Sequence, residues 1–230
     1  MSIFVCGDTH GLTDSWKLTN RYWDIQKELT KDDYLIILGD FGYLWSDLPT
    51  RAEHRQLEQL ASRKFTTLFI DGNHENFNVI NALPEVDMFG GKVGDLGNGI
   101  YHLKRGYVYT IEGLKFWCFG GGTSIDKHWR RLDISWWPQE LPSQEEMDFG
   151  ISQLEKHNWC VDYVLTHAAP RSIVALIGYQ QKMECPLSMW FESLKYKIQC
   201  KKWHFGHYHE DRTFEGKYYC HYSSEPYWIR

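Results

Sequence analysis

The residues with the clearest chemical pattern in this sequence are aspartates, histidines and one asparagine that stand at the ends of short apolar runs. They are Asp8, His10, Asp40, Asn73, His74, His167, His207 and His209. Imidazole and carboxylate donors without a thiolate suit borderline divalent metals such as manganese, iron, zinc or nickel. Each short motif also occurs where no metal binds, but five of them at the ends of five apolar runs predict a metal centre.

Within two of these motifs the polar residues are separated by a single residue. Asp8 and His10 form one pair, and His207 and His209 form the other. In an extended segment, residues i and i+2 point to the same face, so both members of each pair are expected to face one site. Glycines precede several of the motifs, at Gly7, Gly39, Gly72 and Gly206. Glycine permits a sharp turn and lets the backbone approach a bound ion closely.

The apolar runs that carry these motifs predict β-strands. They cover 3–10, 34–40, 66–74, 161–167 and 203–209. Stretches of helical length, 15–29 and 51–62, separate the first three, and Asp14 and Ser15 are possible N-caps of the first helix. Strands that alternate with helices predict crossover units and a largely parallel sheet. Ligand sites in such sheets lie beyond the carboxyl ends of the strands, where these polar residues stand.

Two further segments favour antiparallel pairing, because a Glu-Gly pair separates two short apolar runs in each. These patterns predict β-hairpins that turn at Glu112-Gly113 and at Glu215-Gly216. Further helices are predicted over 143–157 and 187–199. Parallel units combined with hairpins predict an α/β fold in which two sheets pack face to face, with helices outside.

Bulk composition restricts the class of protein. A chain of 230 residues can bury one substantial core, and it contains no internal repeat or linker, so we expect a single domain over residues 1–230. The formal net charge of −5 gives no basic surface for bulk duplex nucleic acid. Six scattered cysteines without a C-x-x-C pair indicate reduced thiols. No segment approaches the length of a membrane span, so we expect a cytoplasmic protein without a membrane partner.

The order of the motifs resembles the calcineurin-like metallophosphoesterases of the phage and bacterial type. The motifs are D-x-H at 8–10, G-D at 39–40, G-N-H-E at 72–75, His167, and G-H-x-H at 206–209. The resemblance implies a four-layer α/β/β/α sandwich of two mixed sheets, with two divalent metal ions between the sheets. We expect manganese to support activity, with iron, zinc and nickel as alternatives.

The resemblance also implies a role for each residue of the set. Asp8, His10 and His209 would hold the first ion, Asn73, His167 and His207 would hold the second, and Asp40 would bridge both. His74 would face the substrate. Two divalent ions about 3.5–4 Å apart repel each other strongly, so the shared carboxylate of Asp40 is the ligand least open to replacement.

The implied activity is hydrolysis of a phosphoric ester by in-line attack of an activated water, with His74 protonating the leaving alkoxide. A phosphodiester carries less charge than a monoester and has a poorer leaving group, so we favour phosphodiester substrates that are nucleotide-like or oligonucleotides. A phosphomonoesterase and a non-catalytic scaffold are the alternatives. The segment GDFGYLW at 39–45 lacks the second acid and the arginine of the Ser/Thr protein phosphatase branch, which disfavours protein phosphatase activity.

The segment FGGGTSIDKHWRRLDISWWPQE at 119–140 resembles a G-G-x-x-S-x-D-x-x-x-R segment of the same phage and bacterial proteins. Its candidate substrate-binding residues are Asp126, His128, Arg130 and Arg131, and the alternative is a solvated surface loop. Trp136 and Trp137 either form a wall of the cleft or pack in the core.

The group that orients His74 is left open by the sequence. Glu75 or Asp47 would serve, and the alternative for Glu75 is to cap a helix that begins near Asn76. The remaining histidines fit no ligand motif and are interpreted as structural. They are His54, His102, His157, His204 and His221.

Overall fold

The computed structural model describes residues 1–178 and 185–230 of the chain. Its strands are β1 (Ile3–Cys6), β2 (Tyr34–Leu38), β3 (Thr66–Ile70), β4 (Glu85–Met88), β5 (Gly91–Gly97), β6 (Ile100–Leu103), β7 (Val108–Ile111), β8 (Leu114–Phe119), β9 (Tyr163–Thr166), β10 (Lys202–Phe205), β11 (Arg212–Phe214), β12 (Tyr218–Cys220) and β13 (Tyr227–Trp228). The α-helices within those ranges are α1 (Arg51–Ala61), α2 (Phe77–Asn81), α3 (Gln144–Lys156), α4 (Arg171–Ile177) and α5 (Pro186–Leu194).

The strands form two mixed sheets. Among the described residues, sheet A has the order β13-β1-β2-β3-β6-β5-β4, and sheet B has the order β11-β12-β10-β9-β8-β7. The pairs β1–β2, β2–β3, β8–β9 and β9–β10 are parallel. Both predicted hairpins are confirmed, because β7 pairs antiparallel with β8 and β11 with β12. Glu112 and Glu215 adopt left-handed backbone angles, with φ of 50° and 52°, the first in a two-residue turn and the second in a three-residue turn.

Alternation along the strands explains why the two sheets stack. Ile3 and Val5 pack between the sheets with Phe116 and Leu165, whereas Phe4 packs on the outer face of sheet A. The outer face of sheet B carries a third cluster, which includes Trp117, Phe119 and Trp203 and packs against side chains of α3, α4 and α5. Because side chains alternate across a strand, a strand that is apolar on both faces must be covered on both sides. The predicted α/β sandwich of two mixed sheets with outer helices is confirmed.

The predicted helix over 15–29 is wrong. The chain forms two short 3-10 helices there, Ser15–Leu18 and Asp24–Lys27. Between them Thr19 has an extended backbone, with φ −82° and ψ 154°, and its hydroxyl donates to the carbonyl of Trp16 at 2.7 Å. This local bond competes with the helical hydrogen-bond ladder, which is the general reason that threonine interrupts helices.

The other predicted helices are present, with adjusted ends. Helices α1 and α3 match 51–62 and 143–157, and each begins with a reciprocal capping box, Thr50 with Glu53 and Ser143 with Glu146. Helix α5 begins at Pro186 but ends at Leu194, so the expectation of a helix as far as residue 199 is wrong. No helix in the described part of the chain has the length and apolar character that crossing a membrane requires.

Candidate metal centre

The site lies where strands of both sheets end. Strands β1, β2 and β3 are parallel neighbours, so the residues that follow them emerge at one edge of sheet A. Asp8 follows β1, Asp40 follows β2, and Asn73 and His74 follow β3. On sheet B, His167 directly follows β9, and the segment after the parallel strand β10 carries the final pair of histidines.

The histidines of the two closely spaced motifs face one site as expected, but they do not lie on extended strands, so the premise of i, i+2 alternation is wrong. His10, His207 and His209 have left-handed backbones, with φ of 43°, 68° and 53°, and so does Asp40, with φ of 47°. This conformation costs a non-glycine residue on the order of 1 kcal/mol or more. Residues held in it by the surrounding structure concentrate at functional sites, and here they turn the side chains towards one another.

Two glycines allow neighbouring loops to approach the carboxylates of the site closely. A Cβ atom on Gly72 would lie 2.1 Å from Oδ1 of Asp40, and a Cβ atom on Gly206 would lie 2.2 Å from Oδ1 of Asp8. Any larger residue at either position would therefore displace a carboxylate of the site.

The structure brings the predicted residues together in overlapping clusters whose donor atoms lie within 4.8 Å of one another. We name Asp8, His10 and His209 the open cluster, and Asp40, His167 and His207 the buried cluster. A third group links them and consists of His10, Asp40 and His74. Oδ1 of Asn73 lies 3.2 Å from Nε2 of His167, which places the asparagine beside the buried cluster. These groups of imidazoles and carboxylates could hold metal ions.

Two buried carboxylates dominate the electrostatics. Burial by itself raises the pKa of Asp40, but the charge of His167 and hydrogen bonds from His10 and His167 hold that pKa well below its ordinary value. Conversely, burial lowers the pKa of the His167 imidazole, yet Asp40 and Asp8 together raise it to about 9. The site thus attracts positive charge. A proton and a metal ion compete for the same imidazoles, so metal binding there releases protons.

Two of the histidines are oriented through their second ring nitrogen. Nδ1 of His167 lies 2.7 Å from the carbonyl oxygen of Leu38, and Nδ1 of His10 lies 2.7 Å from a carboxylate oxygen of Asp14. If each Nδ1 carries the proton, each Nε2 is free to bind a metal ion. Asp14 does occupy the N-cap position of the 3-10 helix Ser15–Leu18, but its side chain makes no capping bond and contacts His10 instead. The sequence signal for this contact was the spacing of four residues between His10 and Asp14.

The amide of Asn73 is oriented by residues from the segment 119–140. Its Nδ2 donates to the hydroxyl of Ser124 at 3.1 Å, which turns Oδ1 towards His167. The backbone N–H of Ser124 donates in turn to the buried carboxylate of Glu140 at 3.2 Å. Sequence reasoning did not select either residue as a candidate, although Ser124 is the serine of the G-G-x-x-S-x-D-x-x-x-R segment, because they lie 51 and 67 positions from Asn73 and spacing does not show the contact.

Glu75 has a different role from either of those considered. Its buried carboxylate accepts the backbone N–H groups of Phe41 at 2.7 Å and Gly72 at 3.3 Å, so it ties the loop after β2 to the loop after β3. Burial and the charge of Asp40 raise the pKa of Glu75 to about 8. The cap of α2 is Asn76, whose Oδ1 accepts from the backbone of Asn78 at 3.0 Å.

Asp47, the other residue considered for orienting His74, instead supports the N-cap of α2. Its carboxylate accepts from Nδ2 of Asn76 at 3.0 Å. Arg130 meets the His74 ring through Nη2, which lies 3.3 Å from Nε2 of His74. A guanidinium only donates, so in this arrangement Nε2 of His74 is the acceptor. Burial and the positive charge of Arg130 lower the pKa of His74, against the opposing effect of Asp40.

The four candidate substrate-binding residues therefore divide into two groups. Arg130 reaches His74 and is held by Asp126 through two bonds of 2.8 Å. His128 and Arg131 are exposed. The backbone N–H of Arg131 donates to Ser135 at 2.9 Å, within the loop itself.

A cavity of about 310 Å³ adjoins the clusters. Its lining includes Asp40, His74, Ser124, Ile125, Asp126 and His209. Trp129 stands on the same loop and is 91% exposed. Trp137 is buried against the outer face of sheet A, with its ring 6.3 Å from Trp45, so it packs in the core.

A second cavity, of about 460 Å³, is lined by Asp71, His102 and Arg105, whose side chains bond to one another. Asp71 accepts from Arg105 at 2.6 Å, and Nε2 of His102 lies 3.2 Å from the same carboxylate. His204 and His221 form another buried contact, 2.8 Å between ring nitrogens. These three histidines lie apart from the clusters, consistent with their structural interpretation.

No curated protein matches this chain. Residues 1–211 match the model of the family described as calcineurin-like phosphoesterase, whose members are in general metal-dependent phosphoester hydrolases. A match over that length, together with two mixed sheets and clusters that could hold metal ions, shows that the chain belongs to the calcineurin-like phosphoesterase family.

Proposed function

We propose that this protein is a phosphodiesterase that uses two divalent metal ions and acts on nucleotide-like or oligonucleotide substrates. The observation that carries the metal-dependent part is the convergence of the open and buried clusters beside one cavity. Bound divalent ions would supply an activated water and would stabilise charge on the phosphoryl oxygens.

The residues divide between the ions as follows in this proposal. Asp8, His10 and His209 hold the first ion, Asn73, His167 and His207 hold the second, and Asp40 bridges both. The position of Asp40 supports this assignment, because it belongs both to the buried cluster and to the group that contains His10. Manganese is the ion that we expect to support turnover.

His74 supplies the proton to the leaving oxygen in this proposal. Its backbone N–H donates to Oδ1 of Asp40 at 2.8 Å, which fixes it at the mouth of the site. In the described arrangement its Nε2 faces Arg130. A substrate phosphate that draws the guanidinium to its own oxygens would free Nε2, which takes up a proton from solvent before it donates one to the ester oxygen.

The preference for diesters is supported by the charge around Arg130. A monoester dianion needs more positive charge than a diester monoanion. The guanidinium of Arg130 donates to both oxygens of Asp126, so its charge is already largely balanced. The exposed indole of Trp129, which directly precedes Arg130, offers a surface on which a base can stack.

The test is turnover of bis-p-nitrophenyl phosphate against p-nitrophenyl phosphate, with and without manganese. We expect manganese-dependent turnover with the higher kcat/KM on the diester. A higher kcat/KM on the monoester would favour the phosphomonoesterase, and no turnover of a wide phosphoester panel by metal-replete protein would favour the non-catalytic scaffold.

A matched pair of variants sharpens the substrate assignment. Asp126→Asn removes the charge that balances Arg130, so the guanidinium can make one more charge-assisted contact with a monoester. The ratio of monoester to diester turnover should therefore rise severalfold. Asp133→Asn changes an exposed aspartate of the same loop and should leave the ratio unchanged. An equal shift in both variants would contradict the role given to Asp126.

A further inference from the structure

His209 is the more exposed of the two histidines in the open cluster. Its side chain is 47% exposed, compared with 20% for His10. Nε2 of His209 lies 3.3 Å from Oδ2 of Asp8, and its backbone is left-handed, with φ of 53°. A ligand in such a position needs support from its surroundings to keep one orientation.

That support is an aromatic ring from the C-terminal segment. The ring of Tyr222 stacks in parallel on the imidazole of His209, with centroids 4.2 Å apart and planes 6° apart. The ring of His10 meets His209 from another side, edge to face, at 5.4 Å. Together these rings restrict the rotation of the His209 side chain.

Tyr222 is itself held from two directions. Lys17, which is buried, donates to the backbone carbonyl of Asp8 at 2.5 Å and also to the carbonyl of Tyr222. Asp211 accepts the backbone N–H of Tyr222 at 2.8 Å and the N–H groups of Ser223 and Ser224 at 2.9 and 3.0 Å. The segment around Tyr222 is thus fixed to the end of β1 and to the residues just after His209.

Tyr222 also contacts the second supporting residue of the open cluster. Burial, and then the charge and hydrogen bond of Asp14, raise the pKa of the Tyr222 hydroxyl. Asp14 is the residue that orients His10. Tyr222 therefore stacks on one histidine of the open cluster and contacts the residue that orients the other.

We propose that Tyr222 is a positioning residue for the first metal ion, acting through the stacked ring of His209. This inference rests on the proposed metal assignment. It lies outside the family match, because Tyr222 follows residue 211, where the match ends. In this account the C-terminal segment completes the open cluster.

The test is the affinity for Mn²⁺, measured by titration of metal-free protein, together with metal content after dialysis. Tyr222→Ala should weaken the weaker of two Mn²⁺ sites by about tenfold, the scale of losing a residue that orients a ligand. Tyr222→Phe keeps the stacked ring and should recover most of the affinity. Saturating Mn²⁺ should restore the kcat of Tyr222→Ala, since the change acts on binding.

A double-mutant cycle separates positioning from general packing. In a His209→Ala background, Tyr222→Ala should cause no further loss of Mn²⁺ affinity, because the contact is already gone. The control is Tyr219→Ala, which removes a tyrosine of β12 that packs against His204, with ring centroids 5.1 Å apart, rather than on the site. If Tyr222→Ala does not fold, Tyr222→Leu is used in its place, because leucine keeps an apolar side chain without the aromatic ring.

The outcomes distinguish the two proposals. Wild-type protein that binds no Mn²⁺ would overturn the metal assignment and, with it, the role of Tyr222. Wild-type binding with unchanged affinity in Tyr222→Ala would overturn only the role of Tyr222. So would an equal loss in Tyr219→Ala, or a Tyr222→Phe variant as weak as Tyr222→Ala.

Discussion

The open and buried clusters use the same kinds of side chain but are supported in different ways. In the buried cluster, His167 is fully buried and is oriented by a backbone carbonyl of β2, at Leu38. In the open cluster, His10 and His209 are partly exposed and are oriented by the side chains of Asp14 and Tyr222. One cluster is thus supported by a strand of the sheet, and the other by side chains from two connecting segments.

This difference has a consequence for metal binding. A histidine bonded to a strand carbonyl cannot lose its partner by a side-chain substitution, whereas Asp14 and Tyr222 can each be removed without changing a ligand. Exposed charges are also better screened by solvent than buried ones. We therefore expect the ion of the open cluster to be the one that dissociates more readily, and the following predictions test that asymmetry.

The largest effect is expected from Asp40, which the two clusters share in the proposed assignment. Asp40→Asn removes the charge that offsets the repulsion between two divalent ions, so both ions should be lost. Elemental analysis after dialysis measures this directly. Asp87→Asn, at an exposed position of β4, is the matched control and should keep full metal content. Loss of a single ion from Asp40→Asn would show that Asp40 serves only one cluster.

His74 should affect neither cluster but should affect turnover strongly. We expect His74→Asn to keep its metal content while turnover falls at least about 100-fold, as for loss of a general acid. His54→Asn, which changes an exposed histidine of α1 that fits no ligand motif, is the control. The donor atoms of His74, His10 and Asp40 lie within 4.8 Å of one another. Loss of an ion from His74→Asn would therefore indicate that His74 is a metal ligand. Unchanged turnover in metal-replete protein would remove it from the acid role.

The smallest effect should appear in the open cluster alone. Asp14→Ala removes the carboxylate that orients His10, so affinity for one Mn²⁺ ion should fall by about tenfold while the other site is unchanged. Asp24→Ala changes an exposed aspartate of the neighbouring 3-10 helix and should have no effect. Equal weakening of both sites by Asp14→Ala would contradict the separation of the clusters. Titration calorimetry with Mn²⁺ resolves the two sites.

The residues that surround the site show where sequence reasoning ends. The motif G-N-H-E predicted a functional turn after a strand, and the chain turns there, but the partners of Glu75 could not be deduced. A carboxylate beside a histidine in sequence suggests a pair. In the folded chain, however, Glu75 points towards backbone N–H groups of another loop.

The sequence by itself determined the donor chemistry, the main strands, the capped helices α1 and α3, both hairpin turns and the sandwich of two sheets. These features follow from side-chain type and from spacing over a few residues. Only the tertiary structure decided that the closely spaced histidines have left-handed backbones and that Arg130 rather than Arg131 meets His74. It alone brought Tyr222 onto His209. Such contacts depend on how the two sheets and their connecting loops pack, and local spacing carries no record of that packing.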